Sequence, residues 1–445
     1  MKDFLSKTAN LNRSIVSEDF EKTLDVINQR IPLIIHKYPT STGCFGWVLP
    51  KKWIIRDAYI KNEMGEKILD WKKHPLHVTI GSLSVKKTLL KKEELLKKIC
   101  VAEDCPDSIP YQFKFYDLNW GFCMSKNQRD KIQGNSFEVF IDSEYVDDNL
   151  LVGEYIIKGK SEKSIIIMAH IDHPAQVNDG LAGAAVLIKL AEQLKETTPE
   201  YTLRFQFLPE RIGSIAYLHH NYKQIDNILG GIFCDMPGTP NLSMALQYSK
   251  WKDSRIDRVA KYVLKNSGNK TIFGNCFEHV VNDDGFYNSP GVDIPCISLS
   301  RSEEQKDENN WRHFPFYHTS GDSLENFDFA QAEEFLSLLS EIIFILNEDR
   351  KIIRKYIGVP HLSKYNLWVD RKINPKLSNS IEIMLYDFNN RISIFDICEK
   401  NGLNFKETLE FIKKLENAGL IKLEATDSIW FNPENPFEKL ASREK

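Results

Sequence analysis

Between residues 155 and 348, short apolar runs alternate with longer stretches whose apolar residues recur at helical spacing. This alternation predicts a sheet covered by helices, because consecutive parallel strands need a crossover connection that is long enough to form a helix. The predicted strands are 164–169, 203–208, 231–234 and 294–299. The predicted helices are 183–196, 214–221, 255–266 and 329–346. We therefore expect an α/β fold with a mostly parallel, mixed sheet flanked by helices.

The strand predicted at Ile165–Ala169 is followed directly by His170 and, two residues later, by Asp172. Asp179 lies in the loop before the next predicted helix, which is where α/β proteins bind ligands. Three later segments each place an acidic or imidazole side chain just past a strand, and these side chains are Glu210, Asp235 and His318. The ends of parallel strands lie along one edge of a sheet, so these groups can converge. Two histidines and three carboxylates at one place suit zinc.

The composition limits the class of protein. The chain has 445 residues, about three times a typical domain, so we expect two or three domains. A net charge of −4 gives no broad basic surface, which argues against binding to DNA or to an anionic membrane. The eight cysteines form no C-x-x-C pair, and neither a signal peptide nor an apolar run of membrane-spanning length is visible. We expect a soluble cytoplasmic protein with free thiols.

The segments on either side of the α/β part have a different sequence pattern. Residues 43–149 contain short β-branched and aromatic runs, which predict a β-rich inserted domain with one helix at 86–99. Residues 376–445 predict a winged helix, a helical bundle followed by a two-stranded ribbon. Its predicted helices and strands are 381–388, 394–400, 405–418, 420–423 and 429–431. The α/β domain would then comprise residues 1–42 and 150–365.

The charge of the tail argues against DNA binding. Residues 376–445 hold ten Lys and Arg against twelve Asp and Glu, and the helix predicted at 405–418 mixes lysines with glutamates. A helix that reads DNA needs net positive charge on its exposed face. We therefore favour a structural or protein-contact role for this tail, and the tail and the β-rich segment are candidate surfaces for a homo-oligomer.

Five short motifs occur in a fixed order along the chain: His170-x-Asp172, Asn178-Asp179-x-x-x-Gly183, Glu210-x-x-Gly213-Ser214, Phe233-x-Asp235-Met236 and Tyr317-His318-Thr319-x-x-Asp322. Together they resemble the zinc aminopeptidase superfamily, which includes bacterial leucyl aminopeptidases and glutaminyl cyclase. With its inserted β domain and winged-helix tail, the chain is similar to bacterial aminopeptidase-like proteins associated with polysaccharide biosynthesis.

The resemblance implies four metal ligands, which are His170, Asp179, Asp235 and His318. It implies that Asp179 bridges two metal positions, that Asp172 orients His170, and that Glu210 is the general base. This chemistry is coherent, because zinc lowers the pKa of a bound water molecule to about 7 and a nearby carboxylate can accept the proton.

Arg211 departs from the pattern of that family. The family has two adjacent glutamates, a base followed by a metal ligand, and Arg211 occupies the second position. A guanidinium cannot ligate zinc and repels it. We therefore expect one firmly bound zinc ion in preference to two, with Arg211 pairing with a freed carboxylate or binding an acidic group of the substrate. The alternative is that Arg211 points away and another residue, such as His173, rebuilds the second site.

These patterns predict a zinc-dependent amide hydrolase, foremost an aminopeptidase acting on a small peptide, with Arg211, Asp283 and Tyr317 as substrate-binding residues. Two alternatives stay open. An amide hydrolase that acts on an acylated amino sugar would use the same zinc and base. A non-enzymatic regulatory protein with a degenerate site would use the winged helix as an interaction module; Arg211 favours this hypothesis and the retained acidic and imidazole residues oppose it.

Overall fold

The computed structural model describes residues 1–114, 116–280, 282–303, 312–388, 392–426 and 430. In chain order, the strands are β1 (Ile34–Pro39), β2 (Gly43–Cys44), β3 (Trp47–Val48), β4 (Lys52–Lys61), β5 (Lys67–Asp70), β6 (Val85–Lys91), β7 (Ile99–Cys100), β8 (Phe122–Cys123), β9 (Ser136–Val146), β10 (Asn149–Ile157), β11 (Ser161–His170), β12 (Tyr201–Leu208), β13 (Ile228–Cys234), β14 (Met244–Gln247), β15 (Thr271–Gly274), β16 (Cys296–Arg301), β17 (Lys351–Arg354) and β18 (Ile421–Glu424). The helices are α1 (Lys2–Thr8), α2 (Glu18–Asn28), α3 (Lys92–Leu96), α4 (Lys126–Asp130), α5 (Ala182–Leu194), α6 (Ile212–His220), α7 (Arg255–Asn266), α8 (Asp284–Tyr287), α9 (Phe329–Glu348), α10 (Pro375–Asp387), α11 (Ile394–Asn401) and α12 (Phe405–Asn417).

An eight-stranded sheet forms the centre of the molecule, with the strand order β1-β10-β12-β11-β13-β16-β14-β15. The four middle strands β12, β11, β13 and β16 run parallel to one another. Strands β10 and β14 run antiparallel to the neighbours that join them to this parallel part. The prediction of an α/β fold with a mixed sheet flanked by helices is confirmed.

Strand β11 lies between two parallel neighbours, and its side chains enter two different cores. Ile165, Ile167 and Ala169 pack on one face with residues of α5, α7 and α9. Ile166 and Met168 pack on the other face with residues of α6. Because successive side chains of a strand point to opposite faces, a strand that is covered on both faces is apolar throughout. This is why β11 could be recognised as a buried strand in the sequence.

A second, antiparallel sheet has the order β5-β4-β9-β6. The helix predicted at 86–99 is wrong over most of its length, because β6 is a strand and only α3 is helical there. The strand pairs with β9 through the partners Thr88–Val139 and Leu90–Phe137. Lysine and leucine favour helices, but pairing along the edge of a sheet outweighs that preference. The assignment of residues 43–149 as an inserted domain stays a prediction.

Three helices, α10 to α12, are present near the end of the chain, where three were predicted. Strand β18, which matches the first predicted strand of the ribbon, pairs antiparallel with β17. Of the second predicted strand, residues 429 and 431 lie outside the described residues. The assignment of residues 376–445 as a winged helix therefore stays a prediction.

The longest helix of the described residues, α9, spans 20 residues and packs against α5 and α7. Its buried face is apolar, whereas glutamates at 333, 334 and 341 lie on its other sides. Within the described ranges, no helix combines the length and the apolar character that crossing a bilayer requires.

Candidate metal centre

Five acidic and imidazole side chains lie at the carboxyl edge of the parallel strands. His170 ends β11, Asp235 follows β13, and Glu210 comes two residues after β12. Asp179 lies in the irregular turn between β11 and α5, and His318 lies in the loop between β16 and α9. The parallel topology places the first four of these side chains together although long segments of sequence separate them. The prediction that His318 follows a strand is wrong, because residues 316 and 317 belong to a turn.

His170, Asp179 and Asp235 form one group of possible metal ligands, with ligand atoms within 4.8 Å of one another. His170 Nε2 lies 3.4 Å from Asp179 Oδ1 and 3.5 Å from Asp235 Oδ1. All three residues are buried. Two ligand atoms at about 2.0–2.1 Å from a tetrahedral zinc ion lie about 3.3 Å apart, so the observed spacing suits such an ion.

His173, Asp179 and His318 form a second group, whose ligand atoms also lie within 4.8 Å of one another. Asp179 Oδ2 lies 3.1 Å from His173 Nδ1 and 2.9 Å from His318 Nε2. Asp179 therefore belongs to both groups and faces each with a different oxygen atom. Neither group requires Arg211.

Several donor atoms of these groups are buried without a hydrogen bond. Both ring nitrogens of His170, Nδ1 of His173 and Oδ2 of Asp179 have no hydrogen-bond partner among the described residues. Buried polar groups are normally satisfied, so atoms of this kind at one place indicate a ligand. Imidazole nitrogens and carboxylate oxygens are donors that zinc accepts, and the site therefore fits a metal ion.

The carboxylates retain protons on the imidazoles. Burial lowers the pKa of His170, but Asp235 and further carboxylates outweigh it and raise this pKa well above its usual value. Burial also lowers the pKa of His173, while Asp179 raises it, and the result is about 10. Burial raises the pKa of Asp179, but His173 and His318 outweigh it and hold this pKa well below its usual value. A divalent cation bound here would replace the imidazole protons.

Two further aspartates hold the site in position, and one of them, Asp172, also forms a third group of possible metal ligands with His170 and His173. Asp172 Oδ1 lies 3.4 Å from His170 Nδ1 and accepts a hydrogen bond of 2.8 Å from the backbone N–H of Glu210. The side chain of Asp322 accepts hydrogen bonds from the backbone N–H groups of residues 177, 178 and 179. Asp172 thus links the strand end to the Glu210 turn, and Asp322 fixes the turn that carries Asp179.

Two glycines make this packing possible. Gly180 has a φ of +114°, a backbone conformation that residues with a Cβ atom rarely adopt. It packs directly against the ring of His170. A Cβ atom at Gly183 would lie 2.2 Å from the carbonyl oxygen of Cys234. The first turn of α5 can therefore approach the end of β13 only with glycine at position 183.

Arg211 adopts the left-handed region with a φ of 62°. Its backbone N–H donates to Asp283 Oδ1 at 2.9 Å, and the Ser214 hydroxyl donates to the same oxygen at 2.6 Å. The guanidinium lies over Phe286, with Cζ 5.9 Å from the ring centre, and Nε makes no hydrogen bond within the described ranges. This contact differs from the predicted pairing of Arg211 with a freed carboxylate. The guanidinium lies against an aromatic ring, which attracts cations, and not against a carboxylate.

Asp283, predicted to bind substrate, is fully buried and contacts the backbone of Arg211 and the side chain of Ser214. Burial raises the pKa of Asp283 to about 8. Because Oδ1 accepts from both the Arg211 backbone and Ser214, its contacts are those of a residue that fixes a turn. The sequence could not distinguish this position from the pocket wall.

Two tyrosines pack on the histidines of the site. The ring of Tyr317 stacks on His318 with a centroid distance of 4.0 Å. The ring centroid of Tyr111 lies 4.9 Å from that of His173 and 5.1 Å from that of His318. The backbone N–H of Tyr111 also donates to the carbonyl of His318 at 2.8 Å. Sequence reasoning missed Tyr111, which lies in the β-rich segment outside every motif.

Arg13 is a second residue that the sequence did not reveal. It is fully buried, and its guanidinium donates to the backbone carbonyls of Ile171 and Gln176, both at 2.9 Å, and to that of His173. Burial lowers the pKa of Arg13 to about 9. The side chain therefore holds the loop that carries His173 through its carbonyl groups, and no sequence motif marks this role.

A family model described as Domain of unknown function (DUF4910) matches residues 2–349. A protein of Clostridium acetobutylicum, with the provisional name polysaccharide biosynthesis protein with aminopeptidase-like domain, is 31% identical over 417 residues, which cover 92% of this chain and 93% of that protein. The crystal structure of a provisionally named peptidase from Clostridium acetobutylicum is 30% identical, with a TM-score of 0.85 and coverage of 95% of both chains.

More distant structures share the fold. A zinc aminopeptidase from Bacillus subtilis has a TM-score of 0.56 at 14% identity, over 77% of this chain and 94% of that chain. A structure described as Peptidase M28 precursor, from Shewanella amazonensis SB2B, has a TM-score of 0.54 at 14% identity, over 77% and 92% of the two chains. The resemblance to zinc aminopeptidases that the five motifs indicated is confirmed for the fold.

Proposed function

We propose that this chain, which belongs to the family described as Domain of unknown function (DUF4910), is a zinc-dependent amide hydrolase of the aminopeptidase type. One observation carries the proposal: the buried group of His170, Asp179 and Asp235 lies beside Glu210 at the carboxyl edge of the sheet. The fold shared with the Bacillus subtilis zinc aminopeptidase supports it. The expected reaction removes the N-terminal residue of a small peptide.

His170, Asp179 and Asp235 would hold the zinc ion. When bound, zinc lowers the pKa of a water molecule to about 7 and polarises the carbonyl of the scissile amide. Asp172 Oδ1, 3.4 Å from His170 Nδ1, would accept a hydrogen bond from a proton held on Nδ1 and so leave the lone pair of Nε2 for the metal.

Glu210 is placed to move protons. Its side chain is 27% exposed, whereas that of Asp179 is 2% exposed, so Glu210 alone of the two can meet substrate. Burial raises its pKa, but His173 outweighs this effect and lowers the pKa to about 2, which keeps Glu210 a carboxylate at neutral pH. The carboxylate accepts a proton from the attacking water and delivers it to the nitrogen of the leaving amine.

Two residues next to this machinery are proposed substrate contacts. Tyr317 packs on His318, and Arg211 directly follows Glu210 in the chain. Arg211, which makes no hydrogen bond through Nε within the described residues, suits an acidic group of the substrate. Asp283 is assigned to holding the turn, because it is buried.

The test combines metal content with substrate profiling. We expect zinc in the wild-type protein by elemental mass spectrometry and a loss of zinc in the His170→Ala, Asp179→Ala double variant. His361 is an exposed histidine beyond β17. The His361→Ala variant is the matched control and should retain the zinc content of the wild type. Hydrolysis of aminoacyl p-nitroanilides that disappears in Glu210→Gln with zinc retained would support the mechanism. A wild-type protein that binds no zinc after loading would refute the proposal.

A second candidate is hydrolysis of an acylated amino sugar. The Clostridium acetobutylicum relative carries polysaccharide biosynthesis in its provisional name, which is the observation that favours this substrate class. The same zinc ligands and Glu210 would serve both reactions. A panel that contains N-acetylated amino sugars beside the aminoacyl substrates separates the two. Absence of turnover on either class, with zinc bound, would favour the regulatory alternative.

A further inference from the structure

We propose that His173 is a metal ligand that completes, with Asp179 and His318, a second cation site next to that of His170, Asp179 and Asp235. The inference rests on the proposed function for the first site. It replaces the expectation of one firmly bound ion with two sites of unequal composition that share Asp179. Its novel element is the role of His173, which comes from the loop directly after β11.

The two ring nitrogens of His173 face different partners. Nδ1 lies 3.1 Å from Asp179 Oδ2, and Nε2 lies 3.0 Å from Glu210 Oε2 in a hydrogen bond. A neutral imidazole carries one proton. If Nε2 donates that proton to Glu210, Nδ1 retains a lone pair that points into the second group of ligands. Metal-ligating histidines commonly donate their other N–H to a carboxylate in this way.

Asp179 is placed to bridge. Its Oδ1 faces His170, while its Oδ2 faces His173 and His318. Oδ2 and His173 Nδ1 are buried and have no hydrogen bond among the described residues, although they lie 3.1 Å apart. Two buried donor atoms at this distance suit a cation that binds both of them, because the ligand atoms of a tetrahedral zinc ion lie about 3.3 Å apart.

Contacts from neighbouring residues hold the ligands of the second site in place. Arg13 holds the backbone carbonyl of His173, and the Tyr111 ring packs on both His173 and His318. His318 has a φ of 55°, a left-handed conformation that its carbonyl hydrogen bond with the Tyr111 N–H maintains. Preorganised ligands lower the cost of binding, because less conformational freedom is lost.

With His173 as a ligand, the second site does not need a metal ligand at position 211, where the chain has Arg211. Its guanidinium lies over Phe286, and its backbone is held by Asp283. Position 211 therefore supplies no ligand to the cluster, and His173 supplies an imidazole in its place. An imidazole-rich site of two histidines and one shared carboxylate favours zinc or cobalt over magnesium or calcium.

The ligand charges predict an order of metal loss. The first site has two carboxylates and one imidazole, whereas the second has two imidazoles and shares a carboxylate. Fewer anionic ligands hold a divalent cation less strongly. A competing chelator should therefore remove one equivalent of zinc at low concentration and the other at higher concentration.

The experiment measures bound zinc by elemental mass spectrometry and by isothermal titration of the metal-free full chain. We expect two equivalents in wild type and in His361→Ala, and one in His173→Ala. His173→Asp, which offers an oxygen ligand at the same position, should recover part of the second equivalent. The chelator titration of wild type should be biphasic, and this readout does not depend on how well any variant folds.

The possible outcomes separate the two proposals. One equivalent in wild type that persists in His173→Ala, with a monophasic chelator titration, overturns the second site and leaves the proposed function intact. Two equivalents in both wild type and His173→Ala overturn His173 as a ligand. No zinc in wild type overturns the proposed function itself. A cobalt-substituted wild type whose visible absorption changes in His173→Ala would place His173 at the ion independently of activity.

Discussion

Replacement of Asp322 by alanine should destabilise the protein and loosen the metal centre. The Asp322 side chain accepts backbone hydrogen bonds from Asn178 at 2.8 Å and from Asp179 at 2.9 Å, and it also accepts from Val177 at 3.2 Å. The Val177 N–H keeps a second acceptor, the backbone carbonyl of residue 322 at 3.2 Å. The substitution therefore leaves two buried N–H donors, those of Asn178 and Asp179, without an acceptor.

The size of the effect follows from these contacts. A buried donor without a partner costs about 1–3 kcal/mol, so two donors cost about 2–6 kcal/mol. Burial raises the pKa of Asp322 to about 7, so part of the population at neutral pH carries an unfavourable buried charge that alanine removes. Because removal of this charge offsets part of the cost, we expect the free energy of unfolding to fall by about 3 kcal/mol, in the lower half of that range.

Asp328→Ala is the matched control. Asp328 also accepts two backbone N–H groups, those of Ala330 and Gln331, but it does so at the partly exposed start of α9. Loss of such a helix cap costs about 1 kcal/mol, because water replaces the carboxylate. Urea unfolding of both variants gives the comparison, and zinc retained after dialysis reports on the site. Equal destabilisation by the two substitutions, or full zinc retention in Asp322→Ala, would refute the reasoning.

Three further outcomes follow from the site. Glu210→Gln should lower kcat by about 10²–10⁴ with unchanged zinc content, and a loss under tenfold would place the general base elsewhere. Gly183→Ala should destabilise the protein by about 1–3 kcal/mol in thermal unfolding, whereas Gly46→Ala, whose added Cβ meets no atom within 4 Å, should be neutral. Because the folded-state pKa of His173 is raised from 6.5 to about 10, its stabilising effect is complete below pH 6.5 and is lost as the pH rises through 10. The metal-free protein should lose stability over this interval, and His173→Gln should abolish that contribution.

The ligands at strand ends could be predicted because local sequence determines them. An apolar strand ended by His170, and a turn residue that precedes an apolar helix, are both visible in the chain. Parallel topology then implies that Asp179 and Asp235 meet His170 at one edge. The distances of 3.4 Å from His170 to Asp179 and 3.5 Å from His170 to Asp235 follow from this arrangement.

The sequence suggests His173 only as a residue that could replace the metal ligand missing at position 211. Three residues beyond His170, the chain leaves the strand, and its direction depends on the buried guanidinium of Arg13, which binds three carbonyls of that loop. Such a contact joins residues more than 150 positions apart and leaves no periodic pattern. The error at β6 has the same origin, because an edge strand depends on its partner β9 more than on its own composition.

The β-rich segment belongs to the site, although its own sequence predicts only strands. The Ile109 N–H donates to Ser320 Oγ at 2.9 Å, and the Ser320 N–H donates to the carbonyl of Ile109 at 2.8 Å. The adjacent Tyr111 N–H binds the carbonyl of His318, which holds that residue in its left-handed conformation. His170 is held in place by the sheet, because it ends a strand. His318 faces Asp179 from a loop, so these contacts hold it in place instead. An α/β part without residues 43–149 would therefore keep the first group of ligands at the ends of its strands and lose the contacts that support His318 in the second group.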